Sequence, residues 1–223
     1  MNARLTGISR EETLHYLSYH GGEVPSEISS ALNRCETLLL RTARPRAVWR
    51  LFDRLPDGKL AGTDFMPEGS DIHSFLSDSS QVILMAATLG SETELLLQRS
   101  QRRSMADAVI LDAAASAAIE NVCDNLCHDL AAVFSPAFLT DRFSPGYGDF
   151  PFSQQTALCR ILDVGRRIGV TLSPGGLMIP QKSVTALLGV SPNPQQKRGR
   201  GCAVCSRFDS CQYRKDGNYC GNF

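Results

Sequence analysis

From Ser104 to about Phe134 the sequence keeps helical periodicity without a break, and any fold of this chain has to be built around that helix. Ala108, Asp112, Ala115, Ile119, Val122, Leu126 and Leu130 fall largely along one face. The many alanines between them permit close approach of a neighbouring element, because interaxial distance follows side-chain size. Pro136 ends the pattern, since proline lacks the amide that would continue the ladder.

The elements on either side are shorter. Ser9-Arg-Glu-Glu12 is a capping box, and the helix that it starts is expected to stop near Gly21-Gly22. Pro25-Ser26 opens a second helix whose apolar positions, Ile28, Ala31, Leu32, Cys35, Leu38 and Leu39, recur at helical spacing. Ala47 to Asp53 is rich in β-formers and reads as a strand, followed by a Pro56-Asp57-Gly58 turn. A short strand is expected near Leu60 and a short helix from Asp71 to Leu76. "QVILMAATLG" reads as a buried strand ending at Gly90, and Ser91-Glu-Thr-Glu94 as a second capping box that starts another helix. Ser153 to Ile168 is read as one further helix. From Gly169 to Val190 the pattern is of strands joined by a Pro174-Gly-Gly176 turn, with Pro180 and Gly189 suggesting edges or bulges. Together these predict an α+β fold, a mixed or antiparallel twisted sheet flanked by helices. Residues 1–103 form the N-terminal part of one body and 104–192 its second part. No internal repeat is visible.

At "SPNPQQKRGRG" the composition turns polar, basic and rich in breakers, so 193–201 reads as a linker to a small cysteine tail at 202–223. Lys197, Arg198 and Arg200 suit a solvated joint better than a nucleic-acid patch. The whole chain has 23 Lys+Arg against 23 Asp+Glu, so no global field recruits nucleic acid or an anionic membrane. "MNARLTGISREET" lacks a signal-peptide core, and the longest apolar stretches are short or interrupted by Asp112. The expectation is a cytoplasmic protein with neither nucleic acid nor membrane as partner.

Of the eight cysteines, Cys35, Cys123, Cys127 and Cys159 lie within apolar patterns, and Cys123 and Cys127, one helical turn apart, read as small core residues. Cys202, Cys205, Cys211 and Cys220 crowd the C-terminus, a grouping that in a cytosolic chain argues for metal rather than disulfides. Four thiolates suffice for tetrahedral zinc or for a [4Fe-4S] cluster, and the uneven spacing favours the cluster. Four reduced, unliganded cysteines are the third reading. His15, His20, His73 and His128 stand at unrelated spacings and read as solvated or capping side chains.

The densest local pattern is Arg142-Phe-Ser-Pro-Gly-Tyr-Gly-Asp-Phe-Pro151. Pro145 fixes its own φ and restricts Ser144; Gly146 and Gly148 let backbone approach a ligand; Arg142 can grip a carboxylate with two parallel hydrogen bonds. Tyr147 offers a ring face to a cation. A rigid turn in which Arg142 pairs with Asp149 fits the same residues, and spacing alone does not choose between turn and cradle.

Arg142, Pro145, Gly146, Tyr147 and Pro151 resemble the S-adenosylmethionine-binding signature of the activation domain of cobalamin-dependent methionine synthase. Downstream, "VTLSPGGLMIPQKSVTALLGVSP" resembles that family's closing segment, with Met178, Pro180, Ser183, Val184 and Pro192 in matching places. Glu120 lies where the family has a ligand-binding glutamate. The N-terminal part resembles free-standing members of the group, and the likeness spans most of residues 1–192. It implies the activation-domain fold and a reactivation role. A donor such as flavodoxin or ferredoxin would reduce cob(II)alamin on a separate methionine synthase or related corrinoid protein. Methyl transfer from S-adenosylmethionine would then trap the reduced state, so the chain would be a methyltransferase component. Under that resemblance Arg142 holds the methionine carboxylate, Glu120 faces the amino or sulfonium group, and Gly146 and Tyr147 line the adenosyl or sulfonium end. A cluster in the tail would relay the electron. The family's paired tyrosines after the segment matching Ser191-Pro192 are missing, replaced by "NPQQKRGRG", and its early aspartate has no secure counterpart. A reactivator of another corrinoid methyltransferase and a metal-tailed regulatory module are the alternative functions.

Overall fold

The computed structural model describes residues 3–19, 23–194, 208–209 and 215. The elements run α1 (Arg10–Tyr16), α2 (Ser26–Thr42), β1 (Arg46–Asp53), α3 (Ser70–Phe75), β2 (Gln81–Thr88), α4 (Ser91–Arg103) and α5 (Met105–Phe134). They continue as β3 (Phe138–Leu139), a 3-10 turn (Phe152–Gln154), α6 (Gln155–Leu162), α7 (Val164–Ile168), β4 (Thr171–Leu172), β5 (Met178–Ile179) and β6 (Ser183–Ser191). Four strands form one sheet in the order β1-β2-β6-β3, and β4 with β5 makes a separate antiparallel pair. β1 and β2 run antiparallel, since Arg44 N donates to Leu89 O beyond one end and Arg54 N to Ser80 O beyond the other. β3 pairs antiparallel with β6, Phe138 opposite Ser191 and Leu139 opposite Val190. The expected α+β class, helices with an antiparallel sheet, is the one observed.

The chain divides into two compact units, 1–48 with 86–130 and 162–184, and 49–85 with 131–161 and 185–223. The first unit is organised by α5. Ala113, Ala114, Ala115, Ala117 and Ala118 are all buried, so the helix is enclosed on more than the single stripe that its periodicity marked. Asp112, placed on that stripe by spacing, is instead half exposed and ion-paired with Lys182 at 2.9 Å. On α2, Ala31, Leu32, Cys35 and Leu39 are buried as expected, whereas Leu38 is exposed. Arg44 wraps back so that its Nη1 donates to the carbonyls of Arg41, Thr42 and Ala43, satisfying the last acceptors of α2.

Several boundaries differ from expectation, each for a local reason. Ser9 does cap α1, accepting from Glu12 N, but the helix ends at Tyr16 rather than near Gly21. Ser18 takes a left-handed φ of 55°. Its N–H donates to His15 O and that of Tyr19 to Leu14 O, the paired bonds that close a helix C-terminus. Ser91 is the first helical residue of α4, not its cap; Gly90, at φ 89°, occupies the cap position. The Glu94 carboxylate turns away to accept from Gln181 N. Ser104 is extended and separates α4 from α5, its Oγ accepting from Asp107 N at 3.3 Å. The single helix expected over Ser153–Ile168 is a 3-10 turn, α6 and α7, broken at Asp163 by a φ of 51°. Leu60 forms an isolated bridge to Arg54 in place of the expected strand.

Gly189 is a correction of another kind. It sits inside β6, a central strand, rather than at an edge. A Cβ there would collide with Ser79 Oγ, so glycine permits a close approach. β2 and β6 are buried almost throughout because they occupy the middle of the sheet, which is why both read as apolar runs without alternation. Among the described residues no helix is long and apolar enough to cross a membrane.

Candidate functional site

The loop from Arg142 to Pro151 belongs to the second unit and hangs on β6 through Phe143. Phe143 N donates to Leu187 O at 3.0 Å, and Leu187 N returns a bond to Phe143 O at 2.8 Å. The Phe143 ring packs on Phe75 at 5.0 Å between centroids, on Phe150 at 6.2 Å and on Tyr147 at 6.3 Å. Phe150 and Pro145 are buried, so the loop has an apolar underside that fixes it to the body.

Its upper side is a double turn. Tyr147 N donates to Ser144 O, Phe150 N to Tyr147 O, and Gly146 N to Phe150 O, at 3.1, 3.0 and 2.9 Å. Gly146 and Gly148 adopt φ of 97° and 53°, which L side chains rarely take. The glycines therefore serve as the sequence suggested in conformation, but the Gly146 amide closes the turn itself and is not left for a ligand. A methyl group placed on Gly146 would meet nothing nearer than Phe152 Cδ2, at 3.8 Å, so the outer side is open. Tyr147 is 60 % exposed and Arg142 half-buried.

The alternative turn expected an Arg142–Asp149 pair. The hydrogen bonds that hold the Asp149 carboxylate come from elsewhere: Ser70 N at 2.6 Å, Ser70 Oγ at 2.7 Å and Asp71 N at 3.0 Å. Asp149 N in turn donates to Asp71 Oδ2 at 3.2 Å. The Ser70 hydroxyl bond, then the Asp71 amide, holds the Asp149 carboxyl below its usual range, because donors to a carboxylate favour the charged form. Gln154 adds a second tie, accepting from Glu68 N at 3.2 Å and donating to Met66 O at 3.1 Å. Sequence reasoning missed this partner segment entirely. The only available signal was Gly69-Ser70-Asp71 at the start of a short helix, which reads locally as a helix start rather than as half of a long-range clamp.

Glu120 is half-buried on α5, in the first unit. One residue on, Asn121 Oδ1 accepts from Thr6 N at 3.0 Å, and Asn125 Nδ2 donates to Arg4 O at 3.1 Å. With the Arg4–Asp129 ion pair at 2.6 Å, these bonds lay the N-terminal segment along the same helix. The structure thus gathers Arg142, Pro145, Gly146 and Tyr147 in one loop, with Glu120 on a separate element of the other unit. A cavity of about 840 Å³ in the second unit is lined by Arg50, Phe65, Met66, Gln154 and Arg160 and by none of the expected ligand residues.

Cys35, Cys123 and Cys159 are buried and Cys127 half-buried, so the core reading fits Cys123 fully and Cys127 in part. Burial pushes the Cys159 thiol up to about 11 and, together with repulsion from Asp107, also raises that of Cys35. Cys202, Cys205, Cys211 and Cys220 lie outside the described residues, as do His20 and nearly all of the basic linker. Among the described residues no group of three or more His, Cys, Asp and Glu is placed to hold a metal.

No protein-family model matches the sequence, and no curated protein does. Among solved structures, the crystal structure of the MetH reactivation domain bound to AdoHcy matches with a TM-score of 0.63. The match covers 85% of this chain and 75% of that one at 16% sequence identity. The fold implied by the motif around Arg142 is therefore the fold found: this chain has the architecture of a methionine synthase reactivation domain.

Proposed function

We propose that this chain binds S-adenosylmethionine at the Arg142–Tyr147 loop and supports reactivation of a cobalamin-dependent methionine synthase. The observation that carries the reading is the loop itself. On a chain with the reactivation-domain fold, one loop carries a half-buried Arg142 at its start and an exposed Tyr147 within a double turn closed by its own hydrogen bonds. The solved relative holds AdoHcy, the demethylated form of the proposed ligand. The residues fit such a group. The outer side of Gly146 is open, the exposed tyrosine carries a ring of the kind that suits a sulfonium, and the guanidinium suits a carboxylate.

In this reading Arg142 binds the methionine carboxylate, Tyr147 and Gly146 flank the adenosyl or sulfonium end, and Glu120 faces the amino or sulfonium group. Pro145 and the turn's own hydrogen bonds restrict the loop before a ligand arrives, so less conformational entropy is lost on binding. S-adenosylmethionine supplies an electrophilic methyl group when bound; the chain's own contribution is orientation rather than acid or base chemistry. The corrinoid belongs to a partner, a methionine synthase or related protein in the cytoplasm, with flavodoxin or ferredoxin as electron source. The tail cysteines Cys202, Cys205, Cys211 and Cys220 hold a [4Fe-4S] cluster or zinc beyond the linker at 193–201.

Calorimetry with S-adenosylmethionine tests the proposal. Losing a charge-assisted pair costs about 1.5–3 kcal/mol, so Arg142→Ala should weaken binding roughly 10- to 100-fold. Absence of saturable binding by the unaltered chain at millimolar ligand would end it.

A further inference from the structure

Two segments far apart in sequence, 66–71 and 149–154, are stapled together at both ends. At one end Asp149 accepts from Ser70 N, Ser70 Oγ and Asp71 N, and its own N–H donates to Asp71 Oδ2. At the other, Gln154 accepts from Glu68 N and donates to Met66 O, with its side chain buried. Glycine is required on both sides of the first staple. Gly69, at φ 116°, has Asp149 O at 2.9 Å from where a Cβ would stand, and a Cβ on Gly148 would collide with the Asp71 carboxylate. These contacts leave little freedom in the sliding of one segment past the other.

The staple begins two residues after Tyr147 and seven after Arg142. Upstream the loop is held by the Phe143–Leu187 bonds, so Asp149 is its second fixed point. Between the two lie only Ser144, Pro145, Gly146, Tyr147 and Gly148, two of them glycines with the largest backbone freedom of any residue. Without the Asp149 bonds the turn keeps its internal hydrogen bonds and its apolar underside, but Gly146 and Gly148 can relax within it and carry the Tyr147 ring with them. We infer that Asp149 is a positioning residue of the candidate ligand loop, setting the placement of Tyr147 by locking the Gly146–Gly148 turn to residues 69–71. Its value for ligand binding rests on the function proposed above; its hold on the loop does not.

The test uses full-length protein labelled with 3-fluorotyrosine, the Tyr147 ¹⁹F line being assigned by its loss in Tyr147→Phe. Asp149→Asn keeps the shape of the side chain but removes the charge, and Gly69→Ala displaces Asp149 by contact, so the two break the staple independently. Both should shift or broaden the Tyr147 line and raise the Kd for S-adenosylmethionine roughly 5- to 10-fold, about 1–1.4 kcal/mol. Leu39→Ala, a core truncation in the other unit, should lower stability and leave the line where it was. An unmoved Tyr147 line in Asp149→Asn overturns the inference. So does a shifted line with the S-adenosylmethionine Kd within twofold of the unaltered chain. If the unaltered chain binds no S-adenosylmethionine, the proposed function fails, while the ¹⁹F line still decides whether Asp149 orders the loop.

Discussion

Side chains that titrate outside their usual ranges make their own contributions to stability depend on pH. Asp149 has a folded-state pKa below its ordinary value, chiefly because of the Ser70 hydroxyl and the Asp71 amide. Its stabilisation is therefore complete above the ordinary carboxylate value of about 3.9 and is lost as pH falls through the lower folded value. Cys159 is shifted the other way, up to about 11, because burial disfavours its thiolate. Its contribution is complete below the ordinary thiol value and declines as pH rises from there towards the folded one. Urea midpoints measured across pH should form a plateau between the two limits, and Asp149→Asn should flatten the acid side alone. The same burial makes Cys35 and Cys159 poor nucleophiles, so a thiol reagent at pH 8 should spare both in the native chain and modify them after unfolding. Rapid native modification of Cys159 would contradict its place in the core.

At the level of elements, what the sequence announced best was the middle of things. The long helix, the buried β2 and the strand at β6 were legible because apolar content and periodicity are set by burial, and burial is greatest there. Boundaries were less legible because they depend on single backbone conformations. The end of α1 rests on Ser18, and the break between α6 and α7 on Asp163, both non-glycine residues with positive φ. Local propensity does not mark a serine for that role and marks an aspartate only weakly. The candidate loop was half visible: its glycines and Arg142 stand out, whereas the staple to Ser70 and Asp71 joins residues nearly eighty positions apart. Gly189 shows the same limit, since its need for a hydrogen side chain comes from Ser79, which is distant in sequence. Gly189→Ala should cost about 1–3 kcal/mol in chemical denaturation, the usual range for overpacking. Because Ser79 Oγ has no hydrogen-bond partner among the described residues, removing it sacrifices no bond. Ser79→Gly in the Gly189→Ala background should then recover part of the loss, and simple additivity of the two changes would show that they do not collide.

For the molecule as a whole, the proposed division is between a body that binds the methyl donor and a tail that binds metal. Among the described residues the anchors of the candidate loop lie in the body: Phe143 on Leu187, Asp149 on Ser70 and Asp71, Gln154 on Met66 and Glu68. Among the described residues none of these anchors involves a position beyond 192, and the matching tyrosines that would have carried ligand contacts into the following segment are absent from "NPQQKRGRG". Ligand binding and metal binding should consequently separate under mutation. Cys205→Ser in the full chain is expected to abolish stoichiometric metal, read as iron and sulfide or as zinc after anaerobic purification. A brown protein that turns colourless on the substitution identifies the iron–sulfur cluster, and a colourless parent with one zinc identifies the structural alternative. In either case the Kd for S-adenosylmethionine should stay within about twofold, below 0.5 kcal/mol, because no loop anchor has been touched. A tenfold loss of ligand affinity in Cys205→Ser would mean that the tail completes the ligand site, and that the missing tyrosines are replaced from beyond the linker.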